Sequence, residues 1–320
     1  MIMITSPFSW LGKAGVLGMN RRNAEYIMRW NPRSRYSLVD DKIITKELAA
    51  RHEIPTPPLI HVIRHHGEVK GFGGHHLAGH KEFAVKPARG SGGEGIVLIK
   101  DVSDKGYTKQ NGDILAKDDI SYHISSILSG IYSLGALEDR AIIEELIHPD
   151  PVFAAVTYRG VPDIRIIVYR GIPAMAMVRL PTRASDGKAN LHQGAIGAGL
   201  DMCDGVLLKA VHRNEVVTHH PDTGNPVTGI VVPYWEKIMT MAARAFDMTG
   251  LGYLGVDMVM DERRGPLLLE LNARPGIQIQ VANGMGLRNR LDKIDTAAEY
   301  VFITPESRVR WAREAFCGDS

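Results

Sequence analysis

The chain has 320 residues, 44% hydrophobic and 23% charged, which is the composition of an ordinary globular protein. Its net charge of +2 argues against a dedicated nucleic-acid surface, and it has no run of about 18 apolar residues that would predict a membrane span. Cys203 and Cys317 are far apart in sequence and lack a metal-binding spacing, so we predict no disulfide and a cytoplasmic location.

Residues 1–40 are predicted to form a short N-terminal segment with a basic bias. Its arginines are Arg21, Arg22, Arg29, Arg33 and Arg35. We interpret them as a solvated face, and the alternative is a docking surface for an anionic substrate. Asp40 or Asp41 then caps a helix that begins near Lys42 and ends before the proline-rich run 55–58.

A cluster of histidines lies within residues 61–80. Its members are His61, His65, His66, His75, His76 and His80. A zinc site is one interpretation, but the spacing matches no finger pattern and no cysteine is near. The interleaved glycines favour a flexible loop instead.

Residues 82–100 predict two strands joined by a glycine-rich loop, with Lys86 on the first strand. The residues that could bind phosphate through this loop are Gly90, Ser91, Gly92, Gly93 and Gly95. Glycines let backbone N–H groups approach a phosphate closely, and Lys86 adds a mobile positive charge. The strand after the loop argues against a dinucleotide site, and the Gly-Lys-Ser/Thr of a Walker A loop is missing. The loop fits the glycine pattern of protein kinases, but Lys86 precedes it and no H-R-D or D-F-G motif follows. The alternative is a hairpin tip that binds no ligand.

A helix over 120–137 and a strand over 140–147 follow, and the strand carries the adjacent acids Glu144 and Glu145. One interpretation is that the strand is a hinge between two lobes. Its backbone would pair with the edge of an adenine, and one of its acids would accept a hydrogen bond from the exocyclic amine. The other is an edge strand that exposes one acid on each side.

Two strands, 163–169 and 172–179, form a predicted hairpin whose apolar pattern is interrupted by charged residues. These are Asp163, Arg165 and Arg179. Each arginine either extends its aliphatic stem towards solvent or binds an anion, and the pattern leaves both open. The polar loop 182–199 contains Lys188 and Asn190, and long polar loops are often functional. Further helices are predicted over 234–246, 296–301 and 307–316.

The most informative stretch is a hairpin within residues 252–276. If its turn centres between Arg263 and Arg264, Asp257 lies directly opposite Glu270. Two facing carboxylates repel each other unless a cation lies between them, and oxygen ligands suit Mg²⁺. The candidate ligands on this face are Asp257, Glu270 and Asn272. The alternative is the solvated face of an ordinary hairpin.

In this order the motifs resemble the ATP-grasp superfamily, and most closely the RimK-like α-L-glutamate ligases. The resemblance runs from about Asp41 to Gly276, and the closing Glu-x-Asn-x-x-Pro-Gly at residues 270–276 is its most specific part. It implies an α+β ATP-grasp fold, with two lobes that sandwich a nucleotide. The implied domains are a short segment 1–40 in place of a full preceding domain, a first lobe 41–145 and a second lobe 146–320.

The same resemblance implies roles for individual residues. Lys42, Lys86 and the glycine loop would contact the ATP phosphates, and Lys188 would lie on the phosphate and acyl side. The residues implied at the adenine and ribose are Glu144, Glu145, Leu146 and Asp163. The implied catalytic residues are Arg179 and Arg274, which would clamp a carboxylate or acyl phosphate, and Asn190, which would lie on the phosphate and acyl side. Asp257, Glu270 and Asn272 would hold Mg²⁺, with Mn²⁺ as an alternative.

The implied activity is that of an ATP-dependent carboxylate–amine ligase that forms an amide through an acyl phosphate. It would add glutamate or another amino acid to an amine or peptide. Its partners would be a carboxylic acid or amino acid and an amine or peptide acceptor, and a homo-oligomer is left open. The alternatives are an ATP-binding accessory protein with little turnover and an ATP-grasp kinase of a small substrate.

Overall fold

The computed structural model describes residues 7–73, 75–77, 79–90, 92–133 and 135–318. The chain divides into two compact units. The smaller unit comprises Asp41–Glu47 and Thr56–Ile147, and the larger unit comprises Met1–Asp40, Leu48–Pro55 and His148–Ser320.

Runs of consecutive strands are separated by helices along the described part of the chain. The strands are β1 Leu59–Ile63, β2 Phe83–Pro87, β3 Val97–Ser103, β4 Gly106–Lys109, β5 Ile114–Leu115, β6 Ala141–Glu145, β7 Asp163–Tyr169, β8 Ile172–Leu180, β9 Ile196–Leu200, β10 Leu207–His212, β11 Glu215–Val217, β12 Tyr253–Asp261 and β13 Gly265–Asn272. The helices are α1 Pro7–Lys13, α2 Met19–Arg21, α3 Met28–Trp30, α4 Ser37–Asp40, α5 Lys42–Arg51, α6 His66–Val69, α7 Lys117–Leu128, α8 Trp235–Thr249, α9 Ile279–Asn283, α10 Arg288–Asp295 and α11 Pro305–Phe316. A π-helical stretch, Arg22–Ile27, joins α2 to α3. No helix in the described ranges is both long and apolar enough to cross a membrane.

The smaller unit is built on an antiparallel six-stranded sheet in the order β1-β6-β2-β3-β4-β5. Apolar side chains of β2 and β6, such as Phe83 and Ile143, pack with Ile120 and Ile124 of α7 in its main core. Because β6 lies between β1 and β2, the interpretation of its acids as residues of an edge strand is wrong.

Helix α7 ends at Leu128, so the helix predicted over 120–137 was too long. Gly130 has a φ of +80°, which breaks the helical path. A Cβ atom at Gly130 would lie 2.3 Å from the carbonyl oxygen of Leu137, so the chain turns back on itself there. Only glycine combines this backbone angle with this close approach.

The larger unit is built on an antiparallel seven-stranded sheet in the order β11-β10-β9-β8-β7-β12-β13. Helices α8, α10 and α11 pack against its central strands, whereas the short α9 packs over β8, β9 and β10. The loop predicted over 182–199 ends earlier, because β9 includes Gly197 and Gly199. A Cβ on Gly197 would lie 2.9 Å from Leu191 and one on Gly199 would lie 2.9 Å from Asn283, so these glycines permit close packing within a strand.

Part of the basic N-terminal segment is tied to the β12–β13 hairpin. The buried Asn31 donates from Nδ2 to the carbonyl oxygens of Tyr253 (2.7 Å) and Ala273 (2.8 Å). Its Oδ1 accepts from the backbone N–H of Tyr253 at 2.9 Å. One of the arginines, Arg22, donates to the carbonyl oxygen of Pro275 at 2.7 Å. These contacts anchor the segment to the end of the hairpin.

The two cysteines are bonded in a way that the sequence did not predict. Cys203 and Cys317 form a disulfide with a Cα–Cα distance of 4.8 Å, although 114 residues separate them. The fold brings the end of α11 next to the turn between β9 and β10. A pairing across such a separation leaves no local pattern in the sequence, so the prediction of no disulfide was wrong.

Candidate active site

A buried cluster of charges lies on β2, β6 and α5 in the smaller unit. Glu144 is 2% exposed, and its Oε2 accepts from Lys86 Nζ at 2.6 Å. Its Oε1 pairs with Lys46 Nζ at 2.8 Å. Burial alone would raise the pKa of Glu144, but Lys86 and Lys46 together lower it below its ordinary value. Burial lowers the pKa of Lys46 in spite of its pairing with Glu144.

Lys46 was missed at the level of the sequence. It lies four residues after Lys42, so both lysines share one face of α5, and that spacing is a usable signal. The cluster therefore has two ammonium groups for one carboxylate, which leaves a net positive charge on this part of the sheet. An excess positive charge suits a phosphate ligand.

The predicted adenine residues lie on and just after β6. The carboxylate of Glu144 is bound by the two lysines, so it does not project freely. The half-buried Glu145 donates its backbone N–H to the carbonyl oxygen of Pro58 at 3.0 Å. Leu146 is half-buried and lies just past the strand end. Their role at an adenine stays a prediction.

The glycine loop is anchored where it begins. Asp139 accepts from the backbone N–H of Arg89 at 3.0 Å and from Ser133 Oγ at 2.8 Å. Lys42 donates from Nζ to the carbonyl oxygen of Gly90 at 2.6 Å. Asp41 caps α5 through the N–H of Ile43 at 3.1 Å, which confirms one of the two predicted caps. The other oxygen of Asp41 binds the guanidinium groups of Arg89 and Arg140.

The tip of the loop has the backbone geometry of a glycine-dependent turn. Gly92, Gly93 and Gly95 have φ values of +65°, +79° and +72°. A Cβ on Gly92 or Gly93 would meet nothing within 4 Å, so the backbone angle requires glycine there and the space around it stays open. Ser91 lies outside the described residues. An open tip on a fixed base presents backbone N–H groups to a ligand such as phosphate.

The larger unit carries a second buried cluster on β7, β8 and β12. Arg179 binds both oxygens of Asp163, and its Nη2 also donates to Asp257 Oδ2 at 2.9 Å. Arg165 binds both oxygens of Asp257, with Nε to Oδ1 at 2.7 Å. The two strand arginines therefore bind carboxylates of the chain itself, and binding of a substrate anion by Arg179 stays a prediction.

The carboxyl groups of this cluster differ in their protonation. Burial and the nearby carboxylate of Asp257 raise the pKa of Asp163 to about 6, against the effect of Arg179. Burial would also raise the pKa of Asp257, but Arg165 and Arg179 lower it below its ordinary value. Asp257 is therefore the more strongly ionised of the two, as a metal ligand must be.

The β12–β13 hairpin brings the candidate metal ligands together. Asp257 pairs directly with Glu270, which confirms the predicted register. The turn spans residues 262–264 and centres on Arg263, half a residue from the predicted centre. One extra residue, Leu269, has no partner and shifts the register, so Glu270 faces Asp257. Without this bulge Glu270 would lie on the opposite face, with Leu268.

The donor set fits a hard divalent cation. Asp257 accepts three N–H bonds from the described residues, which leaves one of its roughly four lone-pair positions on Oδ1 without a partner among them. Asn272 Oδ1 accepts only the backbone N–H of Arg274 (3.0 Å) among the described residues, so its second lone pair is open. Two carboxylates and an amide oxygen on one face match the oxygen ligands that Mg²⁺ prefers.

The remaining predicted residues lie at the surface of the larger unit. Asn190 Oδ1 accepts from the backbone N–H of His192 at 3.0 Å, so it caps the turn Leu191–Gln193. Lys188 is exposed on the same loop. Arg274 is exposed, and its guanidinium lies 5.3 Å from the ring centre of Tyr36.

The histidine cluster gains no support as a zinc site. The rings of His61 and His76 stack with their centres 4.5 Å apart. Within the described ranges, the group of three ligand atoms close enough to share a metal is Asp201, Cys203 and Cys317, and a disulfide joins two of these residues.

Comparison with known proteins gives one family match. A family model described as sugar-transfer associated ATP-grasp matches residues 21–296. No curated protein matches the chain.

Three solved structures illustrate the structural likeness. The ATP-grasp ligase PsnB, complexed with its minimal precursor, is 15% identical over 82% of this chain and 61% of its own, with a TM-score of 0.45. D-alanine–D-alanine ligase from Bacillus anthracis, complexed with ATP, is 14% identical over 88% of this chain and 68% of its own, with a TM-score of 0.42. A RimK domain ATP-grasp protein from Sphaerobacter thermophilus is 14% identical over 81% of this chain and 69% of its own, with a TM-score of 0.44. The chain thus spans 61% of the length of PsnB.

Proposed function

Because the chain belongs to the sugar-transfer associated ATP-grasp family, we propose that it uses ATP to activate a carboxylic acid and joins that acid to an amine. Membership of the family confirms the α+β ATP-grasp fold that the sequence predicted. The observation that carries the proposal is the pairing of Asp257 with Glu270, with Asn272 on the same face. Such a set of oxygen ligands suits a metal that binds nucleotide phosphates.

We assign phosphate binding in the smaller unit to the glycine loop and the lysines. Lys86 belongs to the positively charged cluster, and the glycines at the loop tip would let backbone N–H groups approach a phosphate. Lys42 would hold the loop through its hydrogen bond to the carbonyl oxygen of Gly90, or it would break that bond and bind a phosphate oxygen instead. Glu145 and Leu146 would meet the adenine. These groups position the γ-phosphate rather than react with it, as in other phosphoryl-transfer enzymes.

We assign metal binding in the larger unit to Asp257, Glu270 and Asn272. When bound, Mg²⁺ would offset the negative charge of the phosphates, and Mn²⁺ could replace it. Arg165 and Arg179 hold the Asp257 carboxylate in place. Asp163 fixes the orientation of Arg179 and is also the proposed contact for the ribose.

The chemistry requires two steps. A carboxylate oxygen of the substrate attacks the γ-phosphorus, the bond to the bridging oxygen of ADP breaks, and an acyl phosphate forms. The amine nitrogen then attacks the acyl carbon, the carbon–oxygen bond breaks, and phosphate leaves as the nitrogen loses a proton. Cationic side chains, with Arg274, Lys188 and the amide of Asn190 as candidates, would stabilise the developing oxyanion.

The description of the family supports a second acceptor class. Because that family is associated with sugar transfer, an acceptor that offers a sugar hydroxyl is the main alternative to an amine. The activation step would be the same, but the product would be an ester. Hydroxylamine cleaves an ester readily and leaves an amide intact, so treatment of the product distinguishes the two acceptors.

The test is ADP release from Mg·ATP in the presence of panels of acids, amines and sugars. We expect Glu270→Gln to lower kcat/KM at least about 100-fold, because even residues that only support metal ligands contribute about 10–100-fold. Glu262→Gln is the matched control, since Glu262 lies in the turn of the same hairpin and is exposed. Equal activity in both variants, or ADP release that needs no acid, would refute the proposal.

A further inference from the structure

A cavity of about 390 Å³ lies within the larger unit, next to the turn that Asn190 caps. Three segments form it: residues 191–195, the end of β10 with the turn that follows it, and helix α9 with the residue before it. Its polar lining includes His192, Gln193, Arg213, Asn214 and Gln278. The volume suits a small molecule.

The cavity lies on the same face of the sheet as the carboxylate–arginine cluster. Asp163 pairs with Arg179, Arg179 pairs with Gly197, and Gly197 pairs with Val211 of the cavity wall. Directly paired residues share a face, and adjacent strands are about 4.8 Å apart, so the backbones at Val211 and Arg179 are about 10 Å apart. A small substrate bound in the cavity could therefore extend a group towards the cluster.

The lining has a definite chemical character. None of the residues that line it is acidic. Carboxamides both donate and accept hydrogen bonds, so Gln193, Asn214 and Gln278 suit hydroxyl or amide groups. Leu191 and Val281 add apolar surface. Arg213 supplies a permanent positive charge, because its guanidinium does not lose its proton in proteins.

The position of Arg213 is unusual for an arginine. Arg213 and Asn214 form the two-residue turn between β10 and β11, with φ values of +50° and +69°. Such turns favour asparagine and glycine, so the turn itself does not call for an arginine. Arg213 is exposed and makes no hydrogen bond or ion pair with any other residue in the described part of the chain.

We propose that this cavity binds the non-reacting end of the acceptor substrate, and that this end carries a carboxylate together with hydroxyl or amide groups. Arg213 binds the carboxylate, and the carboxamides bind the neighbouring polar groups. An amino acid and a sugar acid share this chemistry. The identification as an acceptor site rests on the proposed ligase function, whereas binding of the acid does not.

The test begins with binding to the full chain in the absence of nucleotide. The probes are N-acetyl-L-glutamate and D-glucuronate, with the diamide of N-acetyl-L-glutamate and D-glucose as their uncharged counterparts, measured by ligand-observed NMR. We expect at least one acid to bind about tenfold more tightly than its neutral counterpart, since a charge-assisted hydrogen bond supplies at least that factor. The acid that binds distinguishes an amino acid from a sugar acid.

Two variants separate binding from folding. Arg213→Asn supplies a residue that the turn favours, so we expect an unchanged melting temperature and about tenfold weaker binding of the acid. Val281→Trp should fill the cavity and weaken the acid and its neutral counterpart alike. Arg263→Ala is the control, because Arg263 is an exposed arginine in a different turn of the same unit.

Three outcomes would overturn the proposal. The first is that neither acid binds, and the second is that the acids and their neutral counterparts bind equally tightly. The third is that Arg213→Asn binds the acid as tightly as the native chain does. In the ATP assay, Arg213→Asn should raise the KM for the acceptor and leave kcat and the KM for ATP unchanged. Acid binding without any ADP release would refute the ligase function and the acceptor role while the cavity remained a binding site.

Discussion

Glu144 shows how one residue determines the charge of the smaller unit. Its carboxylate binds both Lys46 and Lys86, and all three side chains are largely buried. Two ammonium groups around one carboxylate leave a positive charge that a phosphate would offset. The same arrangement makes the fold depend on Glu144, because without it two ammonium groups would face each other.

We predict that Glu144→Gln destabilises the protein by about 3–5 kcal/mol, the cost of leaving a buried charge without its partner. The free energy of unfolding in urea measures this loss. The control is Glu145→Gln at the next position, which is less buried and not part of the cluster. An equal loss in the two variants would show that the cluster contributes nothing specific.

The sign of the pH effect follows from the lowered pKa of Glu144. A carboxyl group whose pKa is lower in the folded state stabilises that state above its unfolded pKa of about 4.3. This contribution is lost as the pH falls through the folded-state pKa. We therefore expect the difference between the native chain and Glu144→Gln to shrink below pH 4.3.

The hairpins that carry the predicted sites depend on local features, and only some of these features leave a pattern in the sequence. The β7–β8 hairpin was predicted almost to the residue, since its apolar strands flank Arg170-Gly171. The pairing of Asp257 with Glu270 was also predicted. The bulge at Leu269 was not, because three consecutive leucines give no signal for which one lacks a partner.

The helices at the end of the chain were predicted less well from the sequence than the hairpins. Helix α10, Arg288–Asp295, was not predicted, because its polar composition hides the few buried positions such as Leu291 and Ile294. The helix predicted over 296–301 is only the 3₁₀ turn Glu299–Phe302. By contrast, the helix predicted over 307–316 lies within α11, whose Thr304 cap accepts from the N–H of Ser307 at 3.1 Å.

We propose that the hydrogen bonds at the base of the glycine loop hold its tip in place for binding ATP. Asp139→Ala should free the N–H of Arg89 and the hydroxyl of Ser133 from their acceptor. We predict faster amide hydrogen exchange in residues 89–95 and about tenfold weaker ATP binding, as loss of one charged hydrogen-bond acceptor costs about 1–3 kcal/mol. Asp104→Ala, in an exposed turn of the same unit, is the control. Unchanged exchange in the loop would contradict the anchoring role of Asp139.

At the scale of the whole molecule, the disulfide joins parts of the larger unit that the sequence separates widely. Cys203 and Cys317 close a span of 114 residues, and long closed loops gain most from a cross-link. We predict that the double variant Cys203→Ser/Cys317→Ser loses about 2–4 kcal/mol of stability under oxidising conditions. Adding dithiothreitol should remove the difference between the native chain and the variant. A difference that persists in the reductant would mean that the sulfurs act by packing alone.

In the proposed mechanism, a substrate carboxylate attacks the γ-phosphate of ATP, with Glu270 among the metal ligands. The most direct measurement uses the acid that supports ADP release, labelled with ¹⁸O in its carboxylate, followed by mass spectrometry of the phosphate released. We expect one ¹⁸O atom in each phosphate, and release that is nearly abolished in Glu270→Gln and retained in Glu262→Gln. Phosphate without the label would indicate hydrolysis by water, and ADP formed with a stable phosphorylated product would indicate a kinase. Either result would rule out the acyl-phosphate mechanism.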